Sequence, residues 1–224
     1  MRNFLGAAFF GGACFICRGA ARELLCAACR SELPLLAREL CPRCALPSPG
    51  GALCGRCLAE PPAYDATIAA LAYDFPADAL VQALKFRGEL ALAPLLAGLL
   101  RERIPASDPV DRVVPVPLSA ARLRSRGYNQ AVEIARHVAP AKLELELCVR
   151  QRDGAPQMDL PWAERQKNVR GAFDCRRALL GVKVAVVDDV MTTGATLEEI
   201  ARTLKRAGAA RVVNWVVART LPPD

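Results

Sequence analysis

Aromatic residues are scarce, at 5% of the chain, and histidine occurs once, at His137. Trp162, Trp215 and Tyr128 are too scattered to form a stripe on which successive bases would stack, so they read as core or lid packing. His137 falls near the C-terminal end of a predicted helix, where a cation is favourable, and reads as structural rather than catalytic. No uninterrupted apolar run reaches the roughly 18 residues that span a bilayer, so membrane insertion is not expected. The opening run Phe4-Leu5-Gly6-Ala7-Ala8-Phe9-Phe10 after Arg2 superficially resembles a secretory signal. It leads straight into Cys14, a candidate metal ligand, which argues against cleavage there. There is no G-x-x-x-x-G-K-[ST] loop and no G-x-G-x-x-G, which sets aside ATPase and dinucleotide-binding readings.

Cysteine is nearly absent from most of the chain and concentrated at its front. Eight of the ten cysteines lie between Cys14 and Cys57, while Cys148 and Cys175 stand alone and read as packing residues. Cys14/Cys17, Cys26/Cys29, Cys41/Cys44 and Cys54/Cys57 are four CxxC pairs. That spacing is poor for a disulfide and suits two thiolates reaching one tetrahedral ion, so structural Zn²⁺ and a reducing, cytoplasmic setting are expected. The spacing repeats, which favours one ion on Cys14, Cys17, Cys26 and Cys29 and a second on Cys41, Cys44, Cys54 and Cys57. A crossed pairing and a single ion remain open. The formal charge of +7 invites a nucleic-acid reading. Two zinc sites of four thiolates each reduce it to about +3, so basicity alone is weak evidence.

Pro61-Pro62 marks a plausible boundary, giving a Cys-rich double zinc-ribbon module at 1–60 and a second domain at 61–224. In residues 78–103 apolar positions recur at helical spacing, with Gly88 and Pro94 dividing them into two helices. Residues 113–117 read as a short strand and 129–138 as a helix. Residues 143–147 alternate as a strand. Residues 153–171 are polar and Arg-rich, a long loop of the kind that forms lids and binding elements. Residues 182–187 make a β-branched buried strand, followed by a helix with Leu197, Ile200, Ala201 and Leu204 inward, closed at Gly208, and by a strand at 211–217. The alternation implies a doubly wound α/β sheet.

Ligands of such sheets bind beyond the carboxyl ends of the strands, and there the sequence reads Val187-Asp188-Asp189-Val190-Met191-Thr192-Thr193-Gly194-Ala195-Thr196. Amides at a helix start, with the hydroxyls of Thr192, Thr193 and Thr196, suit a phosphate, and Gly194 permits close backbone approach. Asp188 and Asp189 repel phosphate but accept hydrogen bonds from sugar hydroxyls. One site thus offers a ribose end and a phosphate end. Arg122, Arg124 and Arg126 fall in a loop after another strand of the same sheet, where guanidinium groups would meet a pyrophosphate. Lys85 and Arg87 read as surface helix residues.

The segment 184–196 resembles the phosphoribosyltransferase signature without gaps. The resemblance implies that Asp188 and Asp189 bind the ribose hydroxyls of phosphoribosyl pyrophosphate and act as the catalytic pair. It assigns the 5′-phosphate to Thr192, Thr193, Gly194, Ala195 and Thr196, and adds Mg²⁺ with the pyrophosphate, for which Arg122 and Arg126 are candidates. The expected fold is therefore α/β, a type I phosphoribosyltransferase-like parallel sheet with helices on both faces, preceded by a small zinc-ribbon module. Lys85-Phe86-Arg87-Gly88, Val114-Pro115-Val116-Pro117-Leu118, Arg126-Gly127-Tyr128-Asn129-Gln130 and Asn168-Val169-Arg170-Gly171-Ala172-Phe173, in that order behind the CxxC pairs, resemble the ComF family. That implies a bacterial cytosolic protein connected with handling single-stranded DNA during transformation. Three functions follow as expectations: phosphoribosyl transfer, a non-catalytic adaptor for single-stranded DNA or a DNA-uptake ATPase, and salvage of a small base.

Overall fold

The computed structural model describes residues 12–37, 39–151 and 169–222. The N-terminal apolar run, Trp162, Asn168 and the larger part of the Arg-rich stretch 153–171 lie outside the described residues.

At the front, strands β1 (Gly12–Ala13) and β2 (Ala20–Ala21) pair antiparallel around the Cys14/Cys17 turn. Helix α1 (Ala27–Ser31) follows Cys26, whose Sγ accepts the Cys29 amide at 3.4 Å. In the second unit a 3₁₀ turn spans Pro49–Gly51, and helix α2 (Gly55–Ala59) follows Cys54. The duplication read from cysteine spacing is repeated in the backbone. Arg18 (φ 63°) and Ala45 (φ 54°) each follow the second cysteine of a first pair, in a left-handed region non-glycine residues rarely take. Each donates its amide to the first cysteine's carbonyl, Arg18 to Cys14 and Ala45 to Cys41, both at 2.9 Å. Helices of five residues do not persist alone. They are held by what the cysteines hold.

The main sheet comprises β3 (Ala66–Ala72), β4 (Arg112–Pro115), β7 (Lys183–Met191) and β8 (Arg211–Arg219), in the order β3-β8-β7-β4 and parallel throughout. Between them run α3 (Ala77–Phe86), α4 (Leu92–Arg101), α5 (Ala120–Arg126), α6 (Gln130–Val138), the antiparallel pair β5 (Cys148–Arg150) and β6 (Phe173–Cys175), and α7 (Ala195–Arg206). Strand side chains alternate between two cores. Val113, Ala185, Val187, Val213 and Trp215 meet α3, α4 and the inward residues Ile134, Ala135 and Val138 of α6. Val114, Val184, Val186, Val212 and Val216 meet Leu197, Ile200, Ala201 and Leu204 of α7. Both faces are covered, as in the expected doubly wound sheet. None of the described helices is long and apolar enough to cross a membrane.

Four details differ from the sequence reading. Residues 143–147 alternate but form no strand: Leu143 makes a single bridge to Val113, Leu145 is exposed, and pairing begins only at Cys148. Alternation supplied the pattern, but β4 supplies only one backbone hydrogen bond, from the Glu144 amide to Val113 O at 2.9 Å, too few for a strand. The Arg-rich loop after Val116 is instead helix α5, started by Ser119 Oγ accepting the Arg122 amide at 3.2 Å and stopped by Gly127 at φ 83°. The acidic pair lies within β7 rather than in a loop, because pairing with β8 continues to Met191. Strand β3, Ala-Thr-Ile-Ala-Ala-Leu-Ala, has too little β-branched character to announce itself. It is made by its neighbours, with β8 on one side and residues 34–36 on the other. There Leu36 donates to Ala70 O (3.1 Å) and Ala72 to Pro34 O (2.8 Å), so the link between the two cysteine units covers the sheet's open edge.

Asn129 does two jobs: its Oδ1 accepts the Ala131 amide and its Nδ2 donates to Val116 O, both at 2.9 Å. Asn129→Ala is expected to lower unfolding free energy by about 1–2 kcal/mol in a urea titration. A change below about 0.3 kcal/mol would refute this role.

Candidate functional site

The parity of β7 separates the two carboxylates. Asp189 shares the face of Val187 and meets α3, where Lys85 Nζ lies 3.0 Å from its Oδ2; Asp189 is 2% exposed. That oxygen receives no hydrogen bond of good geometry, so the contact is chiefly electrostatic. Asp188 shares the face of Val186, lies partly buried beside the loop that starts α7, and accepts the Asp189 amide at 2.9 Å. Burial and the neighbouring Asp189 charge push the Asp188 carboxyl well above the usual carboxylate range, with Lys85 opposing. Burial pulls Lys85 down, but Asp189 and Asp188 outweigh it and hold its ammonium above the ordinary value.

Beyond Asp188, the backbone of Met191, Thr192, Thr193 and Gly194 turns into α7 and lines a small cavity with Ala195 and Thr196. Gly194 sits at φ 84°, and a Cβ there would lie 2.7 Å from Met191 Cε and 3.3 Å from Tyr64 Oη, so only glycine fits. Gly194, which precedes α7, offers no capping side chain, and Thr193 Oγ1 accepts the Ala195 amide at 3.3 Å, so among the described residues the amides of Thr196 and Leu197 are the ones left to an anion.

A second cleft, about 230 Å³, opens beside the acidic pair and is lined by Lys85, Arg122, Arg126, Arg150, Tyr73 and Gln130. Both arginines expected there, Arg122 and Arg126, are brought to it, whereas Arg124 is exposed on α5 and does not line it. Arg126 donates to Gln130 Oε1. Burial lowers the Arg126 guanidinium somewhat, against the pull of Asp189, and it stays charged. Sequence reasoning missed Lys85, Tyr73, Gln130 and Arg150. Lys85 carried a signal, a lysine one turn before Gly88 in a quoted motif, but helical spacing does not say what lies opposite a helix face.

The cysteines gather as two groups in the sequential pairing, each with its four sulfurs within 4.8 Å of one another. With a Zn–S bond of about 2.3 Å, sulfurs on one edge of a tetrahedron lie about 3.8 Å apart. Cys17 and Cys26 Sγ are 3.8 Å apart and Cys44 and Cys54 Sγ 3.6 Å. Amides of Cys26 and Cys17 lower Cys14 to about 6. Burial and the other three cysteines push Cys29 up to about 12. Burial likewise raises Cys41, but the amides of Cys54, Cys44 and Arg43 prevail and bring it to about 6. Within each group the thiols resist ionising together unless a cation is shared, and the donor sets are consistent with two structural zinc ions.

Residues 5–58 match the double zinc ribbon domain and residues 94–220 the phosphoribosyl transferase domain. Fold and motifs thus define a phosphoribosyltransferase-type α/β protein carrying a double zinc ribbon. DNA utilization protein YhgH of Salmonella typhimurium is 34% identical over 223 residues, covering 94% of this chain and 98% of the relative. Competence protein F of Haemophilus influenzae is 30% identical over 233 residues with the same coverages, and competence protein ComFC of Bacillus subtilis 25% over 215 residues, covering 88% and 85%. The chain belongs to the ComF family of phosphoribosyltransferase-domain proteins. The solved allosteric regulatory enzyme of purine biosynthesis overlaps 56% of this chain and 25% of its own at 25% identity, with a TM-score of 0.37.

Lys85→Met leaves a buried carboxylate unpaired. A fully buried pair broken this way costs about 3–5 kcal/mol; because the lysine side chain is 28% exposed, a loss of roughly 1–3 kcal/mol is expected. Urea titration of Lys85→Met, Asp189→Asn and the double variant tests this, the double variant recovering most of the loss if the two residues are coupled and none if they are not.

Proposed function

We propose that this chain binds Mg²⁺–phosphoribosyl pyrophosphate at the end of β7 and transfers phosphoribose to an acceptor, in the service of DNA utilization or competence. In this reading residues 1–60 form the ribbon module and 61–224 the transferase domain. The observation that carries it is the placement of an acid pair, a helix start entered through a glycine turn, and a cleft of cations around one strand end. Thr192, Thr193, Gly194, Ala195 and Thr196 hold the 5′-phosphate, Asp188 and Asp189 the ribose hydroxyls, and Arg122 and Arg126 the pyrophosphate. Asp188 and Asp189 are the carboxylates that would hold Mg²⁺ together with substrate phosphates, and the ion would supply neutralisation of the pyrophosphate charge. Glycosyl transfer from this donor passes through a cationic, oxocarbenium-like state, so positioning and the arginines supply the acceleration without a protein nucleophile. Asp189, tied to Lys85, suits orientation better than proton transfer.

A second reading, single-stranded DNA binding, rests on a different observation. The exposed Phe86 ring lies 5.2 Å from the Arg126 guanidinium and 6.0 Å from Lys85 Nζ, and Phe15 lies 5.4 Å from Arg18 and 5.5 Å from Arg87. Alternating cations and aromatic faces from the ribbon to the cleft are what an unpaired strand stacks on.

Calorimetric titration of Mg²⁺–phosphoribosyl pyrophosphate is expected to give saturable heat that Asp188→Ala with Asp189→Ala abolishes; no heat, or undiminished heat in the double variant, refutes the donor site. Because Asp188 is raised, protonation competes with binding and donor affinity is expected to rise with pH above the usual carboxylate range. The unliganded chain moves the opposite way. A raised carboxyl favours the fold while protonated, so that stability is lost as pH climbs through its folded value. For the second reading, anisotropy of a labelled oligothymidylate is expected to fall steeply with salt, and Phe86→Ala to weaken binding about tenfold. Salt-insensitive or absent binding rules the strand out.

A further inference from the structure

Arg219, the last residue of β8, is 2% exposed and has no carboxylate within ion-pair distance among the described residues. Its guanidinium is spent on backbone carbonyls. Nε donates to Cys44 O at 2.8 Å, and Nη1 donates to Met191 O at 2.8 Å, to Thr220 O at 2.9 Å and to Thr192 O. One side chain thus ties the second cysteine tetrad to the start of the phosphate loop. A buried guanidinium needs a nearby anion to offset its desolvation. The Nε bond to Cys44 O sets the guanidinium directly against the second cysteine tetrad. Four thiolates around a divalent ion carry a net charge of about −2, which makes the loaded tetrad the counter-ion of Arg219.

Two further arginines of the same tetrad reach outward, one to the next residue of the loop and one to the segment 62–64 beside it. Arg56, on α2 between Cys54 and Cys57, donates through Nη2 to Thr193 O at 3.4 Å. Arg43, between Cys41 and Cys44, donates to Pro62 O (2.9 Å) and Tyr64 O (3.3 Å), and the buried Tyr64 ring closes on the open side of Gly194. So the carbonyls of Met191, Thr192 and Thr193 are all gripped from the ribbon side. In a planar trans peptide the N–H points opposite to the C=O. Gripping those three carbonyls from behind therefore turns the amides of Thr192, Thr193 and Gly194 toward the cavity, and within the described chain none of the three has an acceptor. Among the described residues the first tetrad shows no such connection: Cys14 packs in the cluster built around α3 and α4.

We propose that the second cysteine tetrad is a metal-dependent brace for the phosphate loop, with Arg219 as the positioning residue that transmits it, and that the first tetrad is a fold staple without this role. The proposal deepens the donor site argued above and rests on it for its functional consequence. Its structural content stands apart.

The test uses the full chain, first checked for two zinc per chain by metal analysis, and compares Arg219→Met, Arg219→Lys, Cys54→Ser in the second tetrad and Cys26→Ser in the first. Amide exchange is followed by NMR at Thr220 and Glu198, which donate to Met191 O and Gly194 O, and donor affinity by calorimetry. Arg219→Met is expected to keep its first zinc, speed exchange at both amides about tenfold, and weaken donor binding about tenfold, with Arg219→Lys recovering part of both. Cys54→Ser should do the same, and Cys26→Ser should leave both within about twofold. Wild-type exchange in Arg219→Met, or equal effects of Cys54→Ser and Cys26→Ser, would overturn the brace. If Arg219→Met does not fold, Arg219→Lys and the serine pair carry the comparison. A wild-type chain that binds no donor would sink the proposed function alone, because exchange is read without donor.

Discussion

The parallel register of β7 on β8, which sets Asp188 beside Val216 and Met191 beside Arg219, is the constraint on which the rest of the molecule depends. Both strands are buried on both faces, so a slip of one residue would turn every side chain to the other core. It would also exchange the two aspartates. In the register observed, Asp189 faces α3 and is neutralised by Lys85, while Asp188 faces the start of α7 and keeps a raised carboxyl beside the phosphate loop. Two adjacent residues of one type thereby acquire different environments, one buried and paired, the other at the mouth of the cavity.

The same register explains why the ribbon is not a bead on a string. Strand β3 on one side of β8 would be an open, alanine-rich edge, and residues 34–36 close it with main-chain hydrogen bonds. Five-residue helices and two-residue strands cannot sustain themselves through burial, so their order comes from shared sulfurs and from the sheet they lean on. In return the second unit presents Cys44 O, Arg43 and Arg56 to the back of the edge that carries the candidate site. The domain matches, double zinc ribbon and phosphoribosyl transferase, describe two sequence units whose hydrogen bonds interlock.

Charge in the cleft is arranged rather than merely abundant. Lys85 is committed to Asp189 and Arg126 to Gln130, and Arg150 lies 5.5 Å from the Phe173 ring, so the cations are held in place by neighbours before any ligand arrives. Preorganisation of this kind lowers the cost of gathering like charges around a polyanion. It also accounts for why net charge was a poor guide: the groups that matter are few, and their positions come from three different elements, α3, α5 and β5.

The cysteine repeat, the acid-and-hydroxyl segment 187–196 and the buried strands at 182–187 and 211–217 were legible because each is local: spacing, periodicity and turn chemistry are properties of a short stretch of chain. The same holds for the helix that starts after Asn129. What local pattern could not decide is pairing across distance. Alternation at 143–147 found only a single bridge, and the alanine-rich 66–72 became a strand because β8 was beside it. Lys85 and Arg219 show the limit most plainly. Lys85 reads as a surface residue and Arg219 drew no notice, yet one neutralises a buried carboxylate and the other bridges a cysteine carbonyl to the phosphate loop. By itself the sequence determined which chemistries were present and in what order along the chain. Only the tertiary structure decided which charges meet, because the free energy of a buried ion pair or a gripped carbonyl depends on distance and desolvation, and neither exists until the strands are in register.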